Sequence, residues 1–103
     1  MRYEILLAPE AVEQLRALAA YVRAQVRDHI ERHLRYEPAK VSKSRIKRLR
    51  GLNRPPYRLR VSDVRVFYDI TGETVQVLAI VTKAQAEQWL GEQGSAGEAG
   101  PAG

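Results

Sequence analysis

The chain has 103 residues, no cysteine and a formal net charge of +5. That length fits one domain with a modest core, and the missing thiols exclude disulfide or thiolate-metal support. No apolar run approaches the roughly 18 residues of a membrane span. Because Met1-Arg2-Tyr3-Glu4-Ile5 enters a strand-like segment rather than a signal peptide, a soluble cytoplasmic protein is expected.

Tyr3 to Leu7 reads as a short apolar strand closed by Ala8-Pro9. Pro9 suits the first turn of a helix, and Glu10 and Glu13 complement the positive end of its dipole. Val12, Leu15, Leu18, Ala19, Val22, Val26, Ile30 and Leu34 keep helical spacing until Glu37-Pro38 stops it. As one helix these 28 residues would span about 42 Å, too long for a globule about 30 Å across. A helical hairpin breaking near Ala19-Ala20-Tyr21 is therefore expected, although no glycine or proline marks the break. His29 and His33 stand four apart on its second arm, a spacing that can share a metal. Without cysteine or a completing carboxylate they read as border residues beside the apolar stripe, and no metal is assigned.

Pro38 to Pro56 reads as a basic loop pinned by Ile46, Leu49 and Leu52, with Gly51 and Pro55-Pro56 setting its turns. Three antiparallel strands follow, from Tyr57 to Val61, Val64 to Ile70 and Thr74 to Val81. They are β-branched or aromatic, alternate in polarity, and are separated by the hairpin-length breaks Ser62-Asp63 and Gly72-Glu73. Lys83 to Leu90 can form a short helix whose Trp89 could cover Phe67, Leu78 and Ile80. The domain is placed at residues 1–90. The Gly/Ala-rich tail 91–103 has no apolar anchor larger than alanine and is expected to be disordered. There is no phosphate-binding glycine motif, HExxH or GxSxG, so no small-molecule cofactor is expected.

A two-residue first turn sets Val61 against Val64, Arg60 against Arg65, Leu59 against Val66, Arg58 against Phe67 and Tyr57 against Tyr68. The second turn sets Tyr68 against Val77 and Phe67 against Leu78. Alternation then sorts the sheet into two faces. One is a core holding Tyr57, Leu59, Val61, Val64, Val66, Tyr68, Ile70, Val75, Val77, Ala79 and Val81. The other sets Arg58, Arg60 and Arg65 beside Phe67, Asp69, Gln76, Leu78 and Ile80. Like charges directly opposite across strands cost about 0.2–1 kcal/mol, so Arg60 facing Arg65 disfavours the isolated fold. A phosphate lying across the guanidinium forks would remove that cost. The charge distribution agrees: Lys40 to Arg65 holds ten basic residues and one acid, a net +9, and leaves −4 for the remainder. A concentrated basic segment of this kind is the footprint of a nucleic-acid partner.

The order strand, helical hairpin, basic loop with Leu49-Arg50-Gly51-Leu52, then Tyr57-Arg58-Leu59-Arg60-Val61 and Arg65-Val66-Phe67-Tyr68-Asp69, resembles the RelE/ParE superfamily of toxin–antitoxin toxins over about residues 3 to 90. The resemblance implies an α+β fold, a small twisted antiparallel sheet with the N-terminal helical hairpin packed on one face. RelE-like members cut ribosome-held mRNA without a metal, the 2′-hydroxyl attacking the adjacent phosphate while sheet-face basic residues stabilise the developing charge. Arg58, Arg60 and Arg65 match those positions. Lys43, Arg45, Lys47, Arg48, Arg50, Lys83 and Trp89 are the further residues expected to touch nucleic acid. ParE-like members instead inhibit DNA gyrase. Both kinds are neutralised by a wrapping antitoxin, for which Phe67, Leu78 and Ile80 form the expected contact. The chain departs from the ribonuclease pattern after the last strand, where an Arg or His and then a Tyr usually follow. Here Thr82-Lys83-Ala84-Gln85-Ala86-Glu87-Gln88-Trp89 stands instead, and a missing acid or base puts about 10²–10⁴-fold of rate at stake. Three readings follow: mRNA cleavage, gyrase inhibition, and RNA binding without catalysis.

Overall fold

The computed structural model describes residues 1–49 and 55–99. Its elements are β1 (Glu4–Leu7), α1 (Pro9–Ala17), α2 (Ala20–Leu34), β2 (Ile46–Arg48), β3 (Tyr57–Val61), β4 (Val64–Thr71), β5 (Thr74–Thr82) and α3 (Lys83–Ala99). One five-stranded sheet runs β1-β5-β4-β3-β2. It is antiparallel except at one edge, where β1 lies parallel to β5 with Ile5 beside Val75 and Leu7 beside Val77. The fold is α+β, as expected, with the parallel edge making the sheet mixed.

The helical hairpin forms, and its break falls at Leu18 and Ala19, both extended at ψ near 150°. No residue at the break imposes this. Arg23, one turn into α2, reaches back and donates to the carbonyls of Arg16 at 3.0 Å and Leu18 at 3.5 Å. Those are orphan acceptors at the end of α1, and the guanidinium supplies the donors the helix no longer has. With the two arms folded, Ala11, Leu15, Val26, Ile30 and Leu34 reach one face of the sheet and close the main core with Leu59, Val66 and Tyr68.

The β3–β4 hairpin pairs residue for residue as the two-residue turn dictates, from Val61 opposite Val64 to Tyr57 opposite Tyr68. Ser62 takes up the left-handed backbone, φ 54°, that so tight a turn requires. Gly72, at φ 60°, does the same for the second turn. The β4–β5 register departs from expectation at one point. Tyr68 does face Val77, but a bulge between Phe67 and Tyr68 sets Phe67 against Ala79, not Leu78, and Val66 against Ile80. One extra residue flips every later side chain to the other face. Ile80 therefore belongs to the main core, while Ala79 and Val81 join Phe67 and Trp89 in a second cluster on the opposite face.

Part of the expected basic loop is a strand, β2, whose Ile46, Lys47 and Arg48 pair with Leu59, Arg58 and Tyr57. Three residues, two of them charged, carry almost no strand signal. Charges are nevertheless what exposed edge strands use to block further pairing. The loop before β2 is tied down by the Tyr68 hydroxyl, which donates to the Pro38 carbonyl at 2.6 Å while its ring stacks on Tyr57, 5.4 Å between centroids. The same burial pushes the Tyr68 phenol well above its ordinary range.

After β5, Thr82 and Gln85 cap the last helix reciprocally. The Gln85 amide donates to Thr82 Oγ1 at 3.3 Å, and the Thr82 amide donates to Gln85 Oε1 at 3.1 Å. The helix is drawn from Lys83 to Ala99, beyond the Leu90 at which the apolar pattern stops. Each helix-interior glycine costs about 1 kcal/mol relative to alanine without forbidding the helix, and no proline intervenes before Pro101. Among the described residues no helix is long and apolar enough to cross a membrane. Replacing Tyr68 by Phe orphans the Pro38 carbonyl, and we expect a loss of about 1–3 kcal/mol in urea denaturation. An unchanged midpoint would show that this buried bond does not hold the loop.

Candidate nucleic-acid interface

The sheet face away from the helical hairpin collects cations in two rows. Lys47, Arg58, Phe67 and Ala79 lie side by side across β2, β3, β4 and β5, and Arg60, Arg65 and Val81 form the next row. Lys47 and Arg60 are exposed, Arg58 is half-buried, and Arg65 is only 7% exposed. Among the described residues the ion pairs all lie elsewhere, at Arg16–Glu13, Arg32–Asp28, Arg35–Glu31 and Lys40–Glu37. Among the described residues, the three sheet arginines share one face and form none of these ion pairs.

Their environments differ. The Arg58 Nε is buried and has no hydrogen-bond partner among the described residues. Burial, followed by the charges of Arg65 and Arg60, lowers the Arg58 pKa, although a guanidinium stays protonated at any physiological pH. Burial and then Arg60 act on Arg65 in the same direction, opposed by Asp63. Arg65 is also tied down, because its Nη1 donates to the carbonyls of Ser62 at 2.9 Å and Val64 at 3.2 Å. It therefore braces the β3–β4 turn as well as charging the face. Arg60 is the outward arginine of the three, and Arg58 carries unmet donor capacity.

The remaining expected contacts divide. Lys43 is exposed in the loop before β2. Arg48 lies on the hairpin side of the sheet, donating to the Tyr57 hydroxyl at 2.8 Å with its guanidinium carbon 5.2 Å from that ring's centroid. Arg45 stands near His29 and His33, where its charge helps to lower both imidazole pKa values. Lys83 is exposed, and its amide donates to the Asp63 carbonyl at 2.7 Å, which brings the start of α3 to the turn that Arg65 braces. Arg50, with Gly51, Leu52 and Arg54, lies outside the described residues.

Trp89 is 8% exposed and stacks on Phe67, centroids 4.9 Å apart and planes within 10°, while its indole N–H donates to Glu10 at 3.4 Å. It covers Phe67 and is not open to a base. Phe67 itself is 1% exposed and Leu78 half-buried beside it, whereas Ile80 lies on the far side of the sheet. Lys47 is drawn into register with Arg58 by a strand too short to read from the sequence. Among the described residues no group of three or more His, Cys, Asp or Glu side chains could hold a metal ion.

The family model described as ParE toxin of type II toxin–antitoxin system, parDE, matches residues 5–87, and the chain belongs to that family. Solved structures agree on the fold. The RelB–RelE antitoxin–toxin complex from Methanococcus jannaschii aligns at 19% identity over 82% of this chain and 96% of that one, with a TM-score of 0.62. The archaeal RelE–RelB complex from Pyrococcus horikoshii OT3 aligns at 24% identity over 82% and 99%, TM-score 0.61. The complex RelBE2 from Mycobacterium tuberculosis aligns at 24% identity over 80% and 99%, TM-score 0.60. No curated protein matches the chain.

Two outcomes check this geometry. Arg60→Ala should leave the unfolding midpoint unchanged or raised, because it relieves an opposed charge. Arg65→Ala should cost about 1–3 kcal/mol, because two charge-assisted bonds to turn carbonyls are lost; equal effects of the two changes would contradict the division of roles. The imidazoles of His29 and His33 are held below their ordinary pKa by burial, then by neighbouring Arg32 and Arg45. Below about pH 6.5 the unfolded chain therefore binds more protons, and stability should fall as pH drops from 7.5 to 5. A His29→Gln, His33→Gln double variant should show a shallower fall.

Proposed function

We propose that this toxin acts on ribosome-held messenger RNA, with Lys47, Arg58, Arg60 and Arg65 binding the phosphate backbone and the three arginines promoting its cleavage. The observation that carries the reading is the set of sheet-face guanidinium groups without a carboxylate partner among the described residues, one of which has a buried, unpartnered Nε. Guanidinium forks match phosphate oxygens and retain their charge in a partly desolvated site. In the reaction the 2′-hydroxyl oxygen attacks the adjacent phosphorus as its proton passes to water, the bond to the 5′-oxygen breaks, and that oxygen takes a proton from water. A cyclic phosphate and a 5′-hydroxyl remain. The arginines supply donors where the equatorial oxygens gain charge. With Trp89 stacked on Phe67 and Lys83 at the rim, the described residues of this face offer no ready acid or base, so turnover is expected to be slow.

An antitoxin partner belongs to the same proposal, since the three solved relatives above are toxins held by antitoxins. A cytoplasmic location belongs to it as well. Inhibition of DNA gyrase by contact is the second reading, favoured by the match to the ParE family and by the absence of the ribonucleases' usual Arg and Tyr after β5. Loss of toxicity with RNA binding retained is the third.

In a purified translation system the wild-type protein should give truncated mRNA, and Arg60→Ala should cut the rate about 10²–10³-fold. Intact mRNA together with inhibited supercoiling would establish the gyrase reading instead. Binding of a 2′-O-methyl oligonucleotide between 50 and 200 mM salt should lose about 0.7 from its log–log slope when either Lys47 or Arg60 is removed. Arg16→Ala, on the helical hairpin, should leave that slope unchanged.

A further inference from the structure

A second cluster lies away from this face, where the end of α2 meets the loop leading into β2. We propose that it binds a phosphate group, held by Arg45 and His33. A cavity of about 210 Å³ opens there, lined among others by Arg32, His33, Lys40, Ser42 and Arg45. Two imidazole nitrogens in this region, Nδ1 of His29 and Nε2 of His33, are buried and have no hydrogen-bond partner. The two rings are 5.4 Å apart. A buried polar atom left unpaired is a cost that folding normally avoids; of the two rings only His33 lines the cavity among the described residues, so an oxygen entering it would accept from that ring.

The charge balance selects the sign of that ligand. Arg32 is paired with Asp28 at 2.7 Å, and Lys40 lies 3.8 Å from Glu37, which also lines the cavity. Arg45 has no carboxylate partner among the described residues, and its backbone is fixed by its amide donating to Ser42 Oγ at 3.1 Å. Burial lowers both imidazoles most, followed by Arg32 from α2 and Arg45 from the loop and, for His33, by His29, while Asp28 opposes them. A metal dication would meet the same repulsion with only two nitrogen ligands. A phosphoryl oxygen would accept from His33 Nε2–H and from the Arg45 fork, and its charge would favour the imidazolium that burial and the neighbouring cations disfavour. β2 is the sheet edge, with Ile46 lining the cavity and Lys47 beside Arg58. The source of the phosphate is thus either a free anion or the backbone of a strand passing over that edge, and the site stands whichever target the toxin has.

The imidazole resonances of His33 and His29, followed by NMR in phosphate-free buffer, test this with three additions: inorganic phosphate, a 2′-O-methyl oligonucleotide, and zinc. Saturable shifts with phosphate, and a His33 titration midpoint raised by about half a unit or more, support the site. Shifts with the oligonucleotide alone also support it and assign the source to a nucleic-acid backbone. Arg45→Gln, with circular dichroism unchanged, should weaken the response at least fivefold; His33→Gln should weaken phosphate binding seen by calorimetry if Arg45→Gln fails to fold. No shift with either phosphate source, or a response to zinc alone, overturns the proposal. Loss of oligonucleotide binding in Arg60→Ala with the phosphate response intact would leave this site standing apart from the RNA reading.

Discussion

The constraint on which the rest depends is the tight turn at Ser62-Asp63. A two-residue connection leaves one register for β3 and β4, and that register puts Arg60 opposite Arg65 with Arg58 next to them. The opposition cannot be relieved by slipping one residue, because the same slip would carry Leu59, Val61, Val64 and Val66 out of the core. Hydrophobic burial on one face thus enforces charge concentration on the other. Arg65 takes part in both, since the carbonyls it binds belong to the turn that sets the register.

The second face is divided between packing and charge. Phe67, Ala79, Val81 and Trp89 form a small apolar cluster beside the arginines. The β-bulge makes this cluster by turning Ala79 and Val81 outward and returning Ile80 to the main core. The wall next to Arg58 and Arg65 is consequently apolar, which accounts for their partial desolvation. In such surroundings a phosphate contact is stronger than on an open surface, and the low dielectric makes an unfilled donor such as Arg58 Nε expensive.

How far the sequence foretold this follows from the range of the interactions. The β3–β4 pairing was legible to the residue because alternation and a short turn are both local. The β4–β5 pairing was legible only as far as Tyr68, since a bulge leaves no mark in a run of apolar residues such as Val77 to Val81. β2 was unreadable because it exists through its partner, and the hairpin break because it is held by a side chain reaching back from Arg23. The basic segment was legible as a charge, but its division was not: Lys47 joins the arginine face, Arg48 clamps Tyr57, and Arg45 turns toward His33. Trp89 resolves as a cover for Phe67, a choice the sequence left open because either role needs an aromatic at that helix position.

The proposal that most needs testing is that Arg58 and Arg60 receive a polyanion while Arg65 braces the turn. The most direct measurement is the ¹⁵N–¹H spectrum of the arginine Nε groups while a non-cleavable RNA oligonucleotide is added. The account predicts that the Arg58 Nε–H, which has no partner among the described residues, shifts saturably and becomes protected from exchange together with Arg60. RNA binding that leaves the Arg58 and Arg60 signals where they were would contradict it.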